Sequence, residues 1–318
     1  HTDTMCASHH WPRFGADDVE GFLKLQRDVY RWMHDQTLRL ANHGHTPDEI
    51  AAELTHLPDC FSKQSHVQGY YGTVSHNVRS VYNRYLGWYD GNPANLQPHP
   101  PVDAGTRYVE MMGGADGVMR GAQTAFDDGD YRWTVEVLKH LIFADPEHRE
   151  ARSLSADAME QLGYQAESST WRNAYLMGAF ELRNGTIQLG RGWPPGLFAG
   201  MTGEQIIDMT GSRFDPAKCS LDTLSVSFTI TDLNADEESL THRLTVENAT
   251  IHHDTDTTDA DVAVTLDRAA LVDVIAYPEH LDDRIGNGTI TIDAGDKSAL
   301  EALLGALDTF ISPNLVEP

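Results

Sequence analysis

Apolar residues recur at intervals of three and four along much of the first 184 residues, as on the buried face of a helix. The densest stretch is residues 69–96, GYYGTVSHNVRSVYNRYLGWYDGNPANL. Its predicted buried face consists of Val74, Val78, Val81, Tyr82, Tyr85, Leu86 and Tyr89. Thr73 or Ser75 is available as the N-terminal cap. The turn sequence at residues 90–93, Asp-Gly-Asn-Pro, predicts the end of the helix, because Gly permits positive φ and Pro disfavours α geometry in the residue before it.

Further helices are predicted on both sides of this segment. A short strand at residues 4–7 precedes a long helix through residue 42, for which Asp17 and Glu20 form a predicted capping box. The sequence at residues 46–49, Thr-Pro-Asp-Glu, is a second capping box that opens a short helix. From residue 108 to 184 the pattern is wholly helical. Gly129-Asp130-Tyr131 recurs as Gly163-Tyr164 after 34 residues, with a turn at residues 144–146 between them, which resembles tetratricopeptide hairpins.

The pattern changes to strands after a Gly- and Pro-rich linker at residues 185–203. Alternating apolar residues predict strands around Val226, Leu244, Val262 and Ile290. Asp267 is predicted to cap a helix that ends near residue 275, and Asp296 to cap a last helix over residues 299–310. The expected result is a small α+β domain with helices covering one face of its sheet.

The amino-acid composition limits the classes of function that the chain can have. Acidic residues outnumber basic ones by 48 to 23, which gives a formal net charge of −25. This negative field argues against binding to nucleic acid or anionic membranes, and it keeps a protein soluble in strong salt, as in halophilic sources. No apolar run is long enough to span a membrane. The three cysteines are far apart, so the sequence predicts neither a disulfide framework nor a thiolate zinc site.

Three places in the sequence are candidates for chemistry. His9 or His10, at the end of the first strand and followed by Trp-Pro, lies where an α/β enzyme presents a metal ligand, although a plain surface loop fits the same residues. His76 and Tyr82 are candidate proton donors or anion contacts, and Tyr82 also lies on the apolar stripe. The stretch from residue 252 to 261 offers histidine and carboxylate groups for a cation, but a solvated acidic hairpin explains it more simply.

Three segments in succession resemble the linear alkylsulfatases of the metallo-β-lactamase superfamily, the dodecyl sulfate hydrolases. They are ASHHWPRFG at 7–15, LQRDVYRWMHDQTLRLANHGHTPDEIA at 25–51, and GYYGTVSHNVRSVYNRYLGWYDGNPANL at 69–96. The resemblance implies an α+β multidomain chain. Residues 1–96 would be the C-terminal part of an αββα catalytic sandwich, 97–190 a helical dimerisation domain, and 191–318 a C-terminal domain similar to sterol carrier protein 2.

The resemblance also implies a zinc-dependent hydrolysis of alkyl sulfate esters to alcohol and sulfate by a homodimer with two zinc ions per active site. It assigns His9 as a zinc ligand, with His10 as the alternative, and places His76 and Tyr82 in the sulfate pocket. The family's HxHxDH motif and two glutamate ligands have no counterpart in this sequence. We therefore expect an upstream segment or a partner chain to supply them, and the isolated chain to be inactive.

A second hypothesis comes from a different class of function. The chain could be a non-catalytic dimerisation module that binds lipids or surfactants in an apolar tunnel. Zinc content separates the two hypotheses, because the hydrolase reading requires that His9 contact metal and the binding module does not.

Overall fold

The computed structural model describes residues 2–9, 11–187, 200–232, 241–256, 258–308 and 316. The described residues form two compact units: residues 2–187 together with Val316, and residues 200–308. The first unit is almost entirely helical and the second contains a mixed sheet. The chain is therefore α+β in class, as predicted from the change in apolar periodicity.

The first unit begins with a two-stranded antiparallel ribbon followed by short and long helices. In chain order these are β1 Thr4–Met5, β2 Arg13–Phe14, α1 Ala16–Ala41, α2 Pro47–Glu53, α3 Asp59–Ser62 and α4 Val74–Leu86. A single turn of 3-10 helix, Ser65–Val67, precedes α4. Two small apolar clusters hold these helices together, and Trp32 packs against both.

The termini of these helices confirm one predicted capping box and contradict another. Thr46 accepts the Glu49 backbone N–H while the Glu49 carboxylate accepts the Thr46 N–H, as the sequence predicted. The box predicted at Asp17 is wrong: α1 begins at Ala16, with Gly15 at φ 94° as the N-cap. Asp17 therefore lies in the first turn, where its charge still complements the helix dipole.

Helix α4 also ends earlier than predicted. Its last residue is Leu86, because Gly87 adopts φ 80° and ψ −166°, a conformation that other residues rarely tolerate. The turn at residues 90–93 instead begins a 3-10 turn, Pro93–Asn95, capped by the Asn92 side chain. Tyr85 and Leu86, predicted to be buried, are consequently exposed near the helix end.

Five further helices complete the first unit: α5 Pro101–Met111, α6 Gly114–Asp127, α7 Tyr131–Ala144, α8 Arg149–Gln165 and α9 Ser169–Asn184. They share one core, in which Leu138, Leu141 and Ile142 of α7 are fully buried. Asp130, His148 and Ser168 cap the last three helices by accepting backbone N–H groups. The helical pattern predicted for residues 108–184 is confirmed.

The second unit is built on a five-stranded sheet with strand order β5-β4-β3-β6-β7. The strands are β3 Leu224–Ile230, β4 Thr241–Glu247, β5 Thr250–Asp254, β6 Val262–Leu266 and β7 Ile290–Gly295. The pair β3–β6 is parallel and the other pairs are antiparallel. Inward-facing residues on the three central strands, such as Val226, Leu244 and Val264, are buried in one apolar cluster.

Among the described residues, four short helices accompany this sheet: α10 Gly203–Asp208, α11 Arg268–Ala276, α12 Leu281–Gly286 and α13 Ser298–Gly305. Single 3-10 turns occur at Met209–Ser212 and Pro278–His280. Asp267 caps α11 as predicted. Asp296 only accepts the Ser298 N–H, since Lys297 is the N-cap of α13. The last helix ends at Gly305 instead of continuing to residue 310, because Leu307 pairs with Phe214 as an isolated β-bridge.

Among the described residues, no helix combines the length and apolar character that a bilayer crossing requires. The described cysteines are not joined in disulfides.

Candidate functional site

His9 lies in the turn between β1 and β2, and its side chain is exposed. His10, the alternative ligand, lies outside the described residues. The described residues contain one group of three or more potential metal ligands whose donor atoms lie within 4.8 Å of one another, and His9 is not in it. The described residues therefore do not by themselves fit the dinuclear centre that the family resemblance implies.

His76 is held in the first turn of α4. Thr73 caps the helix by accepting the backbone N–H of His76 at 2.9 Å. The imidazole is exposed, and its Nδ1 accepts the indole N–H of Trp171 at 3.4 Å. In a neutral imidazole whose Nδ1 accepts a hydrogen bond, the proton lies on Nε2. The local geometry thus makes Nε2–H of His76 a hydrogen-bond donor.

The loop before α4 is fastened to the start of α9, the helix that carries Trp171. Ser168 and Thr170 donate hydroxyl hydrogen bonds to the carbonyl of Tyr71 at 2.5 and 2.7 Å. The backbone N–H of Ser169 donates to the carbonyl of Tyr70 at 2.7 Å. These contacts span nearly one hundred residues of sequence, and they fix the loop and Trp171 relative to His76.

Tyr82 occupies the opposite environment on the same helix. Its side chain is only 6% exposed and packs in the cluster that contains Leu40, Ile50 and Val78. Six residues of α-helix turn through about 600°, so Tyr82 points roughly 120° away from His76. No hydrogen bond or ion pair between described residues joins His9, His76 and Tyr82 to one another. His76 and Tyr82 therefore lie on the same helix, α4, but the structure does not bring the side chains of His9, His76 and Tyr82 together.

Two other polar groups flank α4. Arg79 donates to Asp48 Oδ1 at 2.9 Å and to the Ser75 carbonyl at 3.0 Å, so its guanidinium is already engaged. The Nε2 atom of His34 lies 2.9 Å from the hydroxyl oxygen of Tyr85.

The other nitrogen of His34 lies 2.8 Å from Asp35. Hydrogen bonds from His34 and then from Arg31 lower the pKa of Asp35. The contact between His34 and Tyr85 is not predictable from the sequence, because 51 residues separate the two and only the packing of α1 on α4 brings them together.

The segments that carry His9 and His76 also expose aromatic side chains. Trp11, Tyr71 and Trp88 are 81%, 77% and 70% exposed. Exposed aromatics of this size are typical of surfaces that pack against another segment, another chain or a ligand. The surface around these segments is consequently a candidate contact surface.

Comparisons with known proteins point to one group of enzymes. The family model described as alkyl sulfatase dimerisation matches residues 46–185, and the one described as alkyl sulfatase C-terminal matches residues 193–318. An (R)-specific secondary-alkylsulfatase from Pseudomonas sp. is 42% identical over 321 residues, with 100% of this chain and 47% of that protein covered. A linear primary-alkylsulfatase from Pseudomonas sp. is 44% identical over 96% of this chain and 45% of its own length.

Two further matches extend the range of relatives. The alkyl/aryl-sulfatase BDS1 of Saccharomyces cerevisiae is 41% identical over 97% of this chain and 47% of its own length. The structure of the stereoselective inverting sec-alkylsulfatase Pisa1 from Pseudomonas sp. superposes with a TM-score of 0.89 at 42% identity, covering 100% of this chain and 50% of that one. The chain thus spans about half the length of the relatives it matches. The domain bounds given above at residues 96 and 190 remain predictions.

Proposed function

We propose, from the premise that this chain belongs to the alkylsulfatase family, that the enzyme containing it hydrolyses alkyl sulfate esters to an alcohol and sulfate. The observation that carries the proposal is the match of the whole chain to a sec-alkylsulfatase structure at 42% identity. The relatives are named for primary, secondary and aryl substrates, so the shared chemistry is the sulfate ester.

In this proposal the chain is the C-terminal portion of the enzyme. Its first residues would complete a metallo-β-lactamase-type sandwich, its middle helices would form a tetratricopeptide-like dimerisation domain, and its second unit would be a sterol-carrier-like domain. The family model named for dimerisation supports a homodimer. The exposed Trp11, Tyr71 and Trp88 support a surface that the remainder of the enzyme covers.

The proposal also includes a zinc site, to which this chain would contribute one ligand. Zinc would supply an activated water and would neutralise charge on the sulfate. His9 would contribute one ligand, with His10 as the alternative, and residues outside this chain would contribute the others. The exposure of His9 on the turn between two strands supports this role, because a shared ligand must be accessible to the other half of the site.

The part that this chain plays in the reaction would be performed by His76. Its Nε2–H can donate a hydrogen bond to a sulfate oxygen, where it would stabilise the negative charge that develops as the ester bond breaks. The Trp171 indole holds the imidazole in the tautomer that this donation requires. For Tyr82 we propose an indirect role: its ring packs under α4 and so positions the helix turn that carries His76.

The test is His76→Ala in the enzyme of natural length, assayed for sulfate release from alkyl sulfates. Loss of a hydrogen-bond donor to the charge that develops on the sulfate is expected to lower kcat by about 10²-fold or more, with little change in bound zinc. His43→Ala is the matched control, since His43 is also exposed but lies just beyond the end of α1. Equal kcat in wild type and His76→Ala, at equal zinc content, would exclude His76 from the mechanism.

A further inference from the structure

A helix and a strand of the second unit bring two carboxylates and an imidazole together. Glu204 and Asp208 lie four residues apart on α10 and therefore point to the same side of the helix. The His253 ring on β5 faces them, with Nδ1 2.7 Å from Asp208 Oδ1. One ligand atom from each of the three residues lies within 4.8 Å of the other two.

The fold fixes the helix side of this group. A capping box between Thr202 and Gln205 sets where α10 begins. Ile206 and Ile207 are fully buried and anchor the helix in the core. With these two side chains inward, the carboxylates of Glu204 and Asp208 remain exposed to solvent.

Strand pairing fixes the imidazole side. His253 pairs with Leu244 across β4 and β5, and Leu244 is buried in the core. His253 and His242 are therefore diagonal neighbours on the inner face of the sheet. The His253 side chain is 12% exposed, enough for one ring nitrogen to reach the carboxylates. His252, one residue earlier, faces the other side of the sheet.

His242 orients His253 from behind. The residue is 3% exposed, and its Nδ1 lies 3.0 Å from Nε2 of His253. Metal-bound histidines usually donate their other ring N–H to a neighbouring acceptor, which fixes the tautomer and the ring plane. With Nδ1 of His253 on a metal, its Nε2–H would donate to His242 Nδ1 in this way.

We propose that Glu204, Asp208 and His253 bind one divalent first-row transition-metal ion, with His242 as the residue that positions the imidazole. Imidazole nitrogen combined with two carboxylates suits Zn²⁺ and its first-row neighbours better than Mg²⁺ or Ca²⁺, which prefer oxygen ligands alone. The Asp208–His253 hydrogen bond would open to admit the ion. Water would fill the remaining positions, because the carboxylates face solvent.

The same geometry could instead be a hydrogen-bonded chain from Asp208 through His253 to His242 that only stabilises the fold. The two interpretations differ in Glu204. No hydrogen bond or ion pair to another described residue is made by the Glu204 side chain, so a purely structural chain does not need it. A metal ion does, and substitution of Glu204 discriminates between them.

The experiment is a calorimetric titration of the chelator-stripped 318-residue chain with ZnCl2, repeated with MgCl2. The variants are Glu204→Gln, Asp208→Asn and His253→Gln. The controls are His252→Ala, on the other side of the same strand, and His43→Ala, at an exposed position of the first unit. Thermal unfolding with and without ZnCl2 accompanies each titration, so that a misfolded variant is recognised, and Glu204→Gln changes an exposed side chain that the fold does not require.

Wild type, His252→Ala and His43→Ala are expected to bind one Zn²⁺ at this site and to unfold at a higher temperature in its presence. Each of the three ligand variants should lower the Zn²⁺ affinity by about tenfold or more and lose the thermal shift. MgCl2 should bind more weakly than ZnCl2. Unchanged Zn²⁺ affinity and thermal shift in a folded Glu204→Gln variant would overturn the proposal, as would an equal loss in His252→Ala.

Discussion

Trp171 reaches His76 from a helix 95 residues further along the chain. His76 was a candidate proton donor or anion contact, which the family resemblance placed in the sulfate pocket, but nothing in the sequence links it to Trp171. The apolar helical stripe was informative for Tyr82, whose burial agrees with its place on that stripe. At the scale of single residues, periodicity predicted the burial of Tyr82 but not the exposure of Tyr85 and Leu86, and partners distant in sequence require the structure.

Replacement of Trp171 by Phe tests whether its indole positions His76 for the proposed reaction. The ring volume is largely kept while the N–H donor to Nδ1 is lost. A net hydrogen bond contributes about 0.5–1.5 kcal/mol, so kcat for sulfate release should fall roughly two- to tenfold.

Trp133→Phe, a change at another exposed tryptophan, is the control. In a His76→Ala background the Trp171 change should have no further effect on kcat. If Trp171→Phe lowers kcat by the same factor in the His76→Ala background as in wild type, Trp171 acts independently of His76.

At the scale of elements, local chemistry decided which predictions held. The Thr46 capping box formed because its threonine and glutamate are positioned at the N-cap and the third helical residue. The Asp17 box did not form because the N-cap of α1 is Gly15, two residues before Asp17. The end of α4 was misplaced because the Asp-Gly-Asn-Pro turn appeared stronger in sequence than the single Gly87, which ends the helix by its backbone conformation.

Substitution of two glycines by alanine tests whether backbone conformation, and not space for a side chain, requires glycine at the end of α4. Among the described residues, no atom beyond the glycine's chain neighbours and its own helix backbone lies within 4 Å of a Cβ added at Gly87 or Gly121. Gly87 has φ 80°, whereas Gly121 lies inside α6. Gly87→Ala should lower the free energy of unfolding by about 1–2 kcal/mol, and Gly121→Ala should raise it by up to about 1 kcal/mol. Urea denaturation measures both, and equal shifts of the same sign would contradict the assigned end of α4.

The second unit is expected to lose stability in acid partly through Asp273 on α11. Burial raises the pKa of Asp273, but hydrogen bonds from Arg284 and His280 outweigh it and leave the pKa below its usual value. A carboxyl group with a lowered folded-state pKa stabilises the fold above its unfolded pKa of about 3.9. This contribution is lost as the pH falls through the folded-state pKa.

Asp273→Asn should therefore lower the free energy of unfolding near neutral pH and flatten its decline below about pH 4. Urea denaturation at a series of pH values measures this decline. Asp283→Asn, at an exposed position of α12, should leave the decline close to that of wild type. If the free energy of unfolding of Asp273→Asn declines in acid as steeply as that of wild type, other carboxylates cause the acid sensitivity.

At the scale of the whole molecule, the sequence predicted an α+β chain with helices first and a sheet afterwards. It could not predict the strand order β5-β4-β3-β6-β7, since the parallel pairing of β3 with β6 joins segments about 36 residues apart. The candidate catalytic site is only partly predictable from this chain. His76 and its supports are present, whereas the described residues do not provide a metal-binding group around His9.

The central claim is that this chain is part of an enzyme that hydrolyses alkyl sulfates. The most direct measurement is the rate of sulfate release from primary and secondary alkyl sulfates by the protein at the length its source produces, compared with the isolated 318-residue chain. We predict turnover by the protein of natural length and none by the isolated chain. Failure of the natural-length protein to release sulfate from either substrate class, while it is folded and loaded with zinc, would contradict the account.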